Sequence, residues 1–127
     1  MEAGPTIQGW QMAQVVVADD DDGVRTLLRF NLELEGHRVV GEAADGSEAI
    51  QVTCECRPDV LVLDMMMPGK NGADVLRALN TCSAGRPCVV AYSASPTHLE
   101  LAGRLGADRT VLKSGDMSDL LSVVAGC

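Results

Sequence analysis

The sequence predicts one α/β domain, a doubly wound parallel sheet of five strands with helices on both faces. Three observations lead there. Strand-like and helix-like stretches alternate five times from residue 14 onward, the connections are a few residues long, and 127 residues suffice for one core but not two. Right-handed crossovers between parallel strands then distribute the helices over both faces.

Each element has a local signature. QVVVA (14–18) is a β-branched run, too brief for a helix and typical of a strand covered on both faces. GVRTLLRFNLELEG (23–36) sets Val24, Leu27, Leu28, Leu32 and Leu34 at helical spacings and offers Gly36 as the stop. HRVVGEA (37–43) is a more polar strand, suited to a sheet edge. DGSEAIQVTCEC (45–56) is helical and ends before Arg57-Pro58. DVLVLD (59–64) is the most apolar strand and belongs at the centre.

The second half keeps the rhythm. Asn71 caps a helix through GADVLRALNTC (72–82), with Asp74 near the positive end of its dipole. PCVVAYS (87–93) is the fourth strand, and Ser95-Pro96 opens a helix through THLELAGRLG (97–106). RTVLK (109–113) is the fifth strand, and Asp116 can cap the last helix, MSDLLSVVAG (117–126). Residues 1–13 carry Gly4, Pro5 and Gly9 without periodicity and are expected to be a poorly ordered leader or remnant, with Trp10 able to rest on the domain at 14–127.

Composition narrows the function classes. A net charge of −8 disfavours direct binding of nucleic acid or anionic membrane and suits a protein that binds cations or meets basic partners. No apolar stretch reaches the length of a membrane span and no secretory signal pattern opens the chain, so a cytoplasmic setting is expected. The five cysteines follow no ligand or disulfide framework and are expected to be reduced. His37 and His98 are expected at the surface, and Met65, Met66 and Met67 are read as core and loop packing.

A sheet of this kind places its site at the carboxyl ends of the strands. Asp19 and Asp20 follow the first strand, Asp64 ends the third, Ser93 the fourth and Lys113 the fifth. With the first and third strands as neighbours, about 5 Å apart, the three aspartates form one cluster. Such carboxylates cannot all stay ionised without a raised pKa or a cation, and an all-oxygen donor set points to Mg²⁺. Lys113 lies roughly two strand spacings, about 10 Å, from Asp64, a gap its side chain mostly covers.

Four stretches in this order resemble the receiver domain of two-component response regulators: VVVADD, PDVLVLDMMMPGKNG, VVAYSAS and GADRTVLK, over residues 14–125. The resemblance implies a flavodoxin-like sheet in the order 2-1-3-4-5 and an aspartyl-phosphate switch. It makes Asp64 the phosphoacceptor, Asp20 a direct Mg²⁺ ligand, Asp19 a ligand acting largely through water, and the backbone carbonyl of Met66 the third protein ligand. Ser93 takes the hydroxyl position and Lys113 the lysine position, catalysing self-phosphorylation rather than turnover of a substrate. The implied donor is a sensor histidine kinase or histidine phosphotransfer protein, and the implied output surface is residues 96–125. A homodimer through that surface stays open.

Two positions depart from the family pattern. Thr110 stands where an aromatic is usual, which removes a rotamer lever, and Ser114 replaces the usual proline, which loosens the loop after the fifth strand. These departures keep a phosphorylation-independent interaction module as the alternative. An aspartate-nucleophile phosphohydrolase is disfavoured, because Met66 stands where such enzymes carry a second acid. Asp21 and Asp22 are assigned to the start of the first helix rather than to the metal site.

Overall fold

The computed structural model describes residues 13–82, 85–114 and 117–127. The leader up to residue 12 with Trp10, and the cap assigned to Asp116, lie outside the described residues. Five strands, β1 (Gln14–Ala18), β2 (Arg38–Ala43), β3 (Val60–Asp64), β4 (Cys88–Ser93) and β5 (Arg109–Leu112), pair in parallel in the order β2-β1-β3-β4-β5. Between and after them run α1 (Asp22–Leu34), α2 (Gly46–Cys56), α3 (Gly72–Leu79), α4 (Pro96–Arg104) and α5 (Ser118–Ala125). The polar second strand is at the edge, and β3, with all five residues buried, is central.

Period-2 alternation divides the apolar residues of the strands between two layers. Val16, Ala18, Leu61, Leu63, Val89 and Ala91 face α2, α3 and α4. Val15, Val17, Val60, Val62, Val90, Tyr92 and Val111 face Leu28 and Leu32 of α1 and Leu120 and Val124 of α5. Ala13, assigned above to the leader, packs against this second layer, and its carbonyl accepts the Arg38 amide.

The helix ends follow the sequence signals. Asp21 is the N-cap of α1, accepting the Val24 amide at 3.0 Å, and Asp22 sits in its first turn. Gly36, at φ 92°, takes the left-handed conformation after α1. Asn71 and Asp74 form a reciprocal capping box at α3, and Ser95 caps α4 ahead of Pro96. A Cβ on Gly72 would stand 2.7 Å from Met65 Cα, so glycine lets α3 start against the chain that leaves β3.

Four details differ from the expectation. Leu27 and Leu34 are 54% and 67% exposed, as is Phe30 at 60%, because α1 turns only the stripe through Leu28 and Leu32 onto the sheet. The third helix stops at Leu79, and Thr81 and Cys82 continue as turns bonded three residues back. His37 and His98 are half-buried, each with a Nδ1 shielded from solvent.

The cysteines are the fourth. Cys88 and Cys127 form a disulfide across a separation of 39 residues, contrary to the expected reduced state. Sequence spacing hides this pairing, because only the packing of α5 on the sheet brings the chain's last residue to the start of β4. Cys54, Cys56 and Cys82 are not bridged, although Cys54 and Cys82 approach to 3.3 Å between sulfurs.

Candidate functional site

The strand register brings the acidic residues together. Ala18 pairs with Leu63, so the next residues along β1 and β3, Asp19 and Asp64, stand side by side at the carboxyl edge. Asp64 is in turn paired with Tyr92, and Tyr92 with Val111, two residues before Lys113. Parity puts Asp19, Asp64, Tyr92 and Lys113 on the sheet face covered by α1 and α5.

One carboxylate oxygen from each of Asp19, Asp20 and Asp64 lies within 4.8 Å of the other two. Asp19 and Asp64 are buried, whereas Asp20 is exposed. Lys113 crosses the gap: its Nζ stands 3.4 Å from Asp64 Oδ1 and 3.6 Å from Asp19 Oδ2. One ammonium against three carboxylates leaves the cluster short of positive charge. Burial pushes the Asp64 carboxyl above its ordinary pKa, opposed by the Met66 amide and by Lys113.

Backbone amides support two of the carboxylates. Met66 N–H donates to Asp64 Oδ1 at 3.0 Å, which holds the residue after Met65 beside the strand end, with its side chain 56% exposed. Asp21 N–H donates to Asp19 Oδ1 at 2.8 Å. Ser93, buried at the end of β4, accepts the Ser95 amide at 3.1 Å and has parity opposite to Asp64. Arg25 of α1 reaches back to the Asp19 carbonyl at 2.6 Å, tying the helix to the strand end.

Tyr92 is the residue that the sequence reading missed. Its hydroxyl donates to Asp19 Oδ2, and Lys113 Nζ lies 4.6 Å above its ring. Burial, then the hydrogen bond to Asp19 and the nearby carboxylates, hold the phenol far above its usual pKa, so it remains a donor. The signal was available: Tyr92 is the polar-tipped residue on β4 with the parity of Asp19, Asp64 and Lys113.

All-oxygen donors, two of them buried, at one strand edge fit a hard divalent cation. Comparison with known proteins decides the family. The family model of the response regulator receiver domain matches residues 15–125. The chain belongs to that family.

Relatives of this receiver domain agree. It is 47% identical over 90 residues to protein-glutamate methylesterase/protein-glutamine glutaminase 5 of Myxococcus xanthus, covering 70% of this chain and 26% of that protein. It is 36% identical over 110 residues to response regulator MprA of Mycobacterium ulcerans, covering 86% and 47%. The receiver domain thus spans between a quarter and a half of these curated relatives. Among solved structures, the NarL signal receiver domain of Mycobacterium tuberculosis superposes with a TM-score of 0.83 at 32% identity, over 92% of this chain and 96% of that one. TrrA of Thermotoga maritima, solved in complex with Mg²⁺ and BeF, superposes with a TM-score of 0.80 at 26% identity, over 89% and 96%. The acidic pocket fits the phosphoacceptor site of a receiver domain. Among the described residues, no helix is long and apolar enough to cross a membrane.

Proposed function

We propose that this receiver domain is a phosphorylation switch with Asp64 as the acceptor, served by a sensor histidine kinase or histidine phosphotransfer protein in the cytoplasm. The observation that carries the reading is the Lys113 ammonium, 3.4 Å from Asp64 and 3.6 Å from Asp19 at the edge of the carboxylate cluster. The similarity to TrrA, solved with Mg²⁺ and BeF, supports Mg²⁺ as the cofactor.

Asp20 and Asp64, with the Met66 carbonyl, would hold the Mg²⁺ directly, and Asp19 would act largely through water. When bound, the ion supplies the positive charge that lets a carboxylate approach a phosphoryl group. An oxygen of Asp64 attacks phosphorus, the bond from phosphorus to the donor's imidazole nitrogen breaks, and that nitrogen keeps the electron pair. Lys113 compensates charge on the phosphoryl oxygens during transfer. The product is an acyl phosphate carrying up to about two negative charges.

Ser93 then exchanges its bond from the Ser95 amide for one to the new oxygens. Because Ser95 caps α4, this pulls on the start of that helix and biases the surface at residues 96–125 toward its partner-binding form. Thr110 is exposed on β5, so the switch runs without an aromatic lever there. The domain turns over no substrate of its own.

Incubation with Mg²⁺ and acetyl phosphate, read by intact mass, tests the reading. A single phosphate adduct forms and is absent in Asp64→Asn; no adduct with any donor would instead favour a phosphorylation-independent module. Met66 shields the acyl phosphate from water. Met66→Asn therefore shortens the adduct's lifetime, measured by the decay of the adduct mass after donor removal, and an unchanged decay would reject that role.

A further inference from the structure

Tyr92 belongs to the core layer under α1 and α5, yet its two polar contacts are both with site residues. We propose that Tyr92 is a positioning residue that occupies Asp19 Oδ2, fixes Lys113 over its ring, and so weakens the hold of the carboxylate cluster on a divalent cation. The inference rests on reading that cluster as a cation site.

A carboxylate has about four lone-pair positions. On Asp19, Oδ1 accepts the Asp21 amide at 2.8 Å, while Oδ2 accepts the Tyr92 hydroxyl and stands 3.6 Å from Lys113 Nζ. Asp19 is 1% exposed, so these neighbours occupy both of its oxygens. The charge that a cation would otherwise draw on is already engaged by two hydrogen-bond donors and one ammonium. This steers direct ligation toward Asp20, which is exposed, and Asp64.

Burial keeps the hydroxyl on Asp19. Tyr92 is 4% exposed and shares its core layer with Val90, Val111, Leu28 and Leu120, so its hydroxyl has little access to solvent. A buried hydroxyl without a partner is costly, and the Asp19 oxygen is the partner the structure provides. The same ring presents its face to the Lys113 ammonium at 4.6 Å. A leucine or valine at this strand position would fill the core but make neither contact.

Tyr92→Phe keeps the ring and removes only the hydroxyl. Isothermal titration with Mg²⁺ is expected to show about tenfold tighter binding than in the unaltered protein, the low end for losing a hydrogen bond to a charged group. General damage to the fold would weaken binding, so tightening separates a positioning role from a structural one. Because Tyr92 is the only tyrosine, its ring-carbon NMR signal also reports directly. Mg²⁺ shifts that signal in the unaltered protein and leaves it in place in Asp20→Asn. Equal or weaker Mg²⁺ binding by Tyr92→Phe, or a tyrosine signal unmoved while Mg²⁺ binds, overturns this inference and leaves the cation site standing. No Mg²⁺ binding to the unaltered protein overturns both.

Discussion

Lys113→Met slows phosphorylation by acetyl phosphate by roughly 10²–10³-fold while Mg²⁺ still binds. The magnitude is that for removing one preorganised charge-stabilising group from a site where negative charge develops. Methionine preserves most of the side chain's length and its apolar stem, so the substitution removes charge more than volume. Without the ammonium, Asp19 and Asp64 lose their nearest cation, which leaves the cluster more dependent on Mg²⁺. Cation affinity therefore stays level or rises as the rate falls. The accompanying loss of stability is softened by solvent, because the Lys113 side chain is 34% exposed. Phosphorylation at the unaltered rate would remove Lys113 from the chemistry; loss of Mg²⁺ binding together with the rate would make its role structural.

The second large effect concerns stability and spares the site. Reducing the Cys88–Cys127 disulfide, or replacing Cys127 with serine, is expected to cost about 4 kcal/mol, the chain-entropy value for the 39-residue separation. For a chain of this length, that corresponds to roughly 15 °C in Tm. Cys88 opens β4, whereas Ser93 closes it, so the bridge lies at the opposite sheet edge from the carboxylates. Urea unfolding with and without reductant measures the loss, and Cys127→Ser should match the reduced protein. Equal midpoints in all three samples would show that the C-terminus is not bridged. The folded fraction of Cys127→Ser should still take up phosphate, which separates the clamp from the switch.

Much of the fold was legible because its determinants are local. The β-branched run at 14–18, the apolar run ending at Asp64, and the caps Asn71 and Ser95 each announce an element without tertiary information. The strand order came from the family resemblance, not from any spacing. The clustering of Asp19, Asp20, Asp64 and Lys113 followed from one rule, that polar residues at the carboxyl ends converge.

What escaped was decided by packing. Leu27 and Leu34 have helical spacing, but only the width of the contact between α1 and the sheet determines which leucines are covered. Cys88 and Cys127 meet because α5 folds back on β4, which no spacing between cysteines encodes. Tyr92 was hidden by its type: an aromatic in an apolar strand reads as core, and it is core. Its hydroxyl becomes visible once β4 is placed beside β3 in register, with Tyr92 opposite Asp64. Nor does it replace the missing aromatic of β5. Thr110 pairs with Ala91, one residue earlier, so the two positions lie on opposite faces of the sheet.

The central claim is that one carboxylate, at the end of β3, receives the phosphoryl group. Borohydride reduces an acyl phosphate to an alcohol, which converts a phosphorylated aspartate into homoserine. Treating the Mg²⁺- and acetyl phosphate-reacted protein this way, followed by peptide sequencing by mass spectrometry, reads the acceptor directly. Homoserine at position 64, and at neither 19 nor 20, is the predicted result; homoserine at another aspartate, or a phosphate that resists reduction, would contradict it.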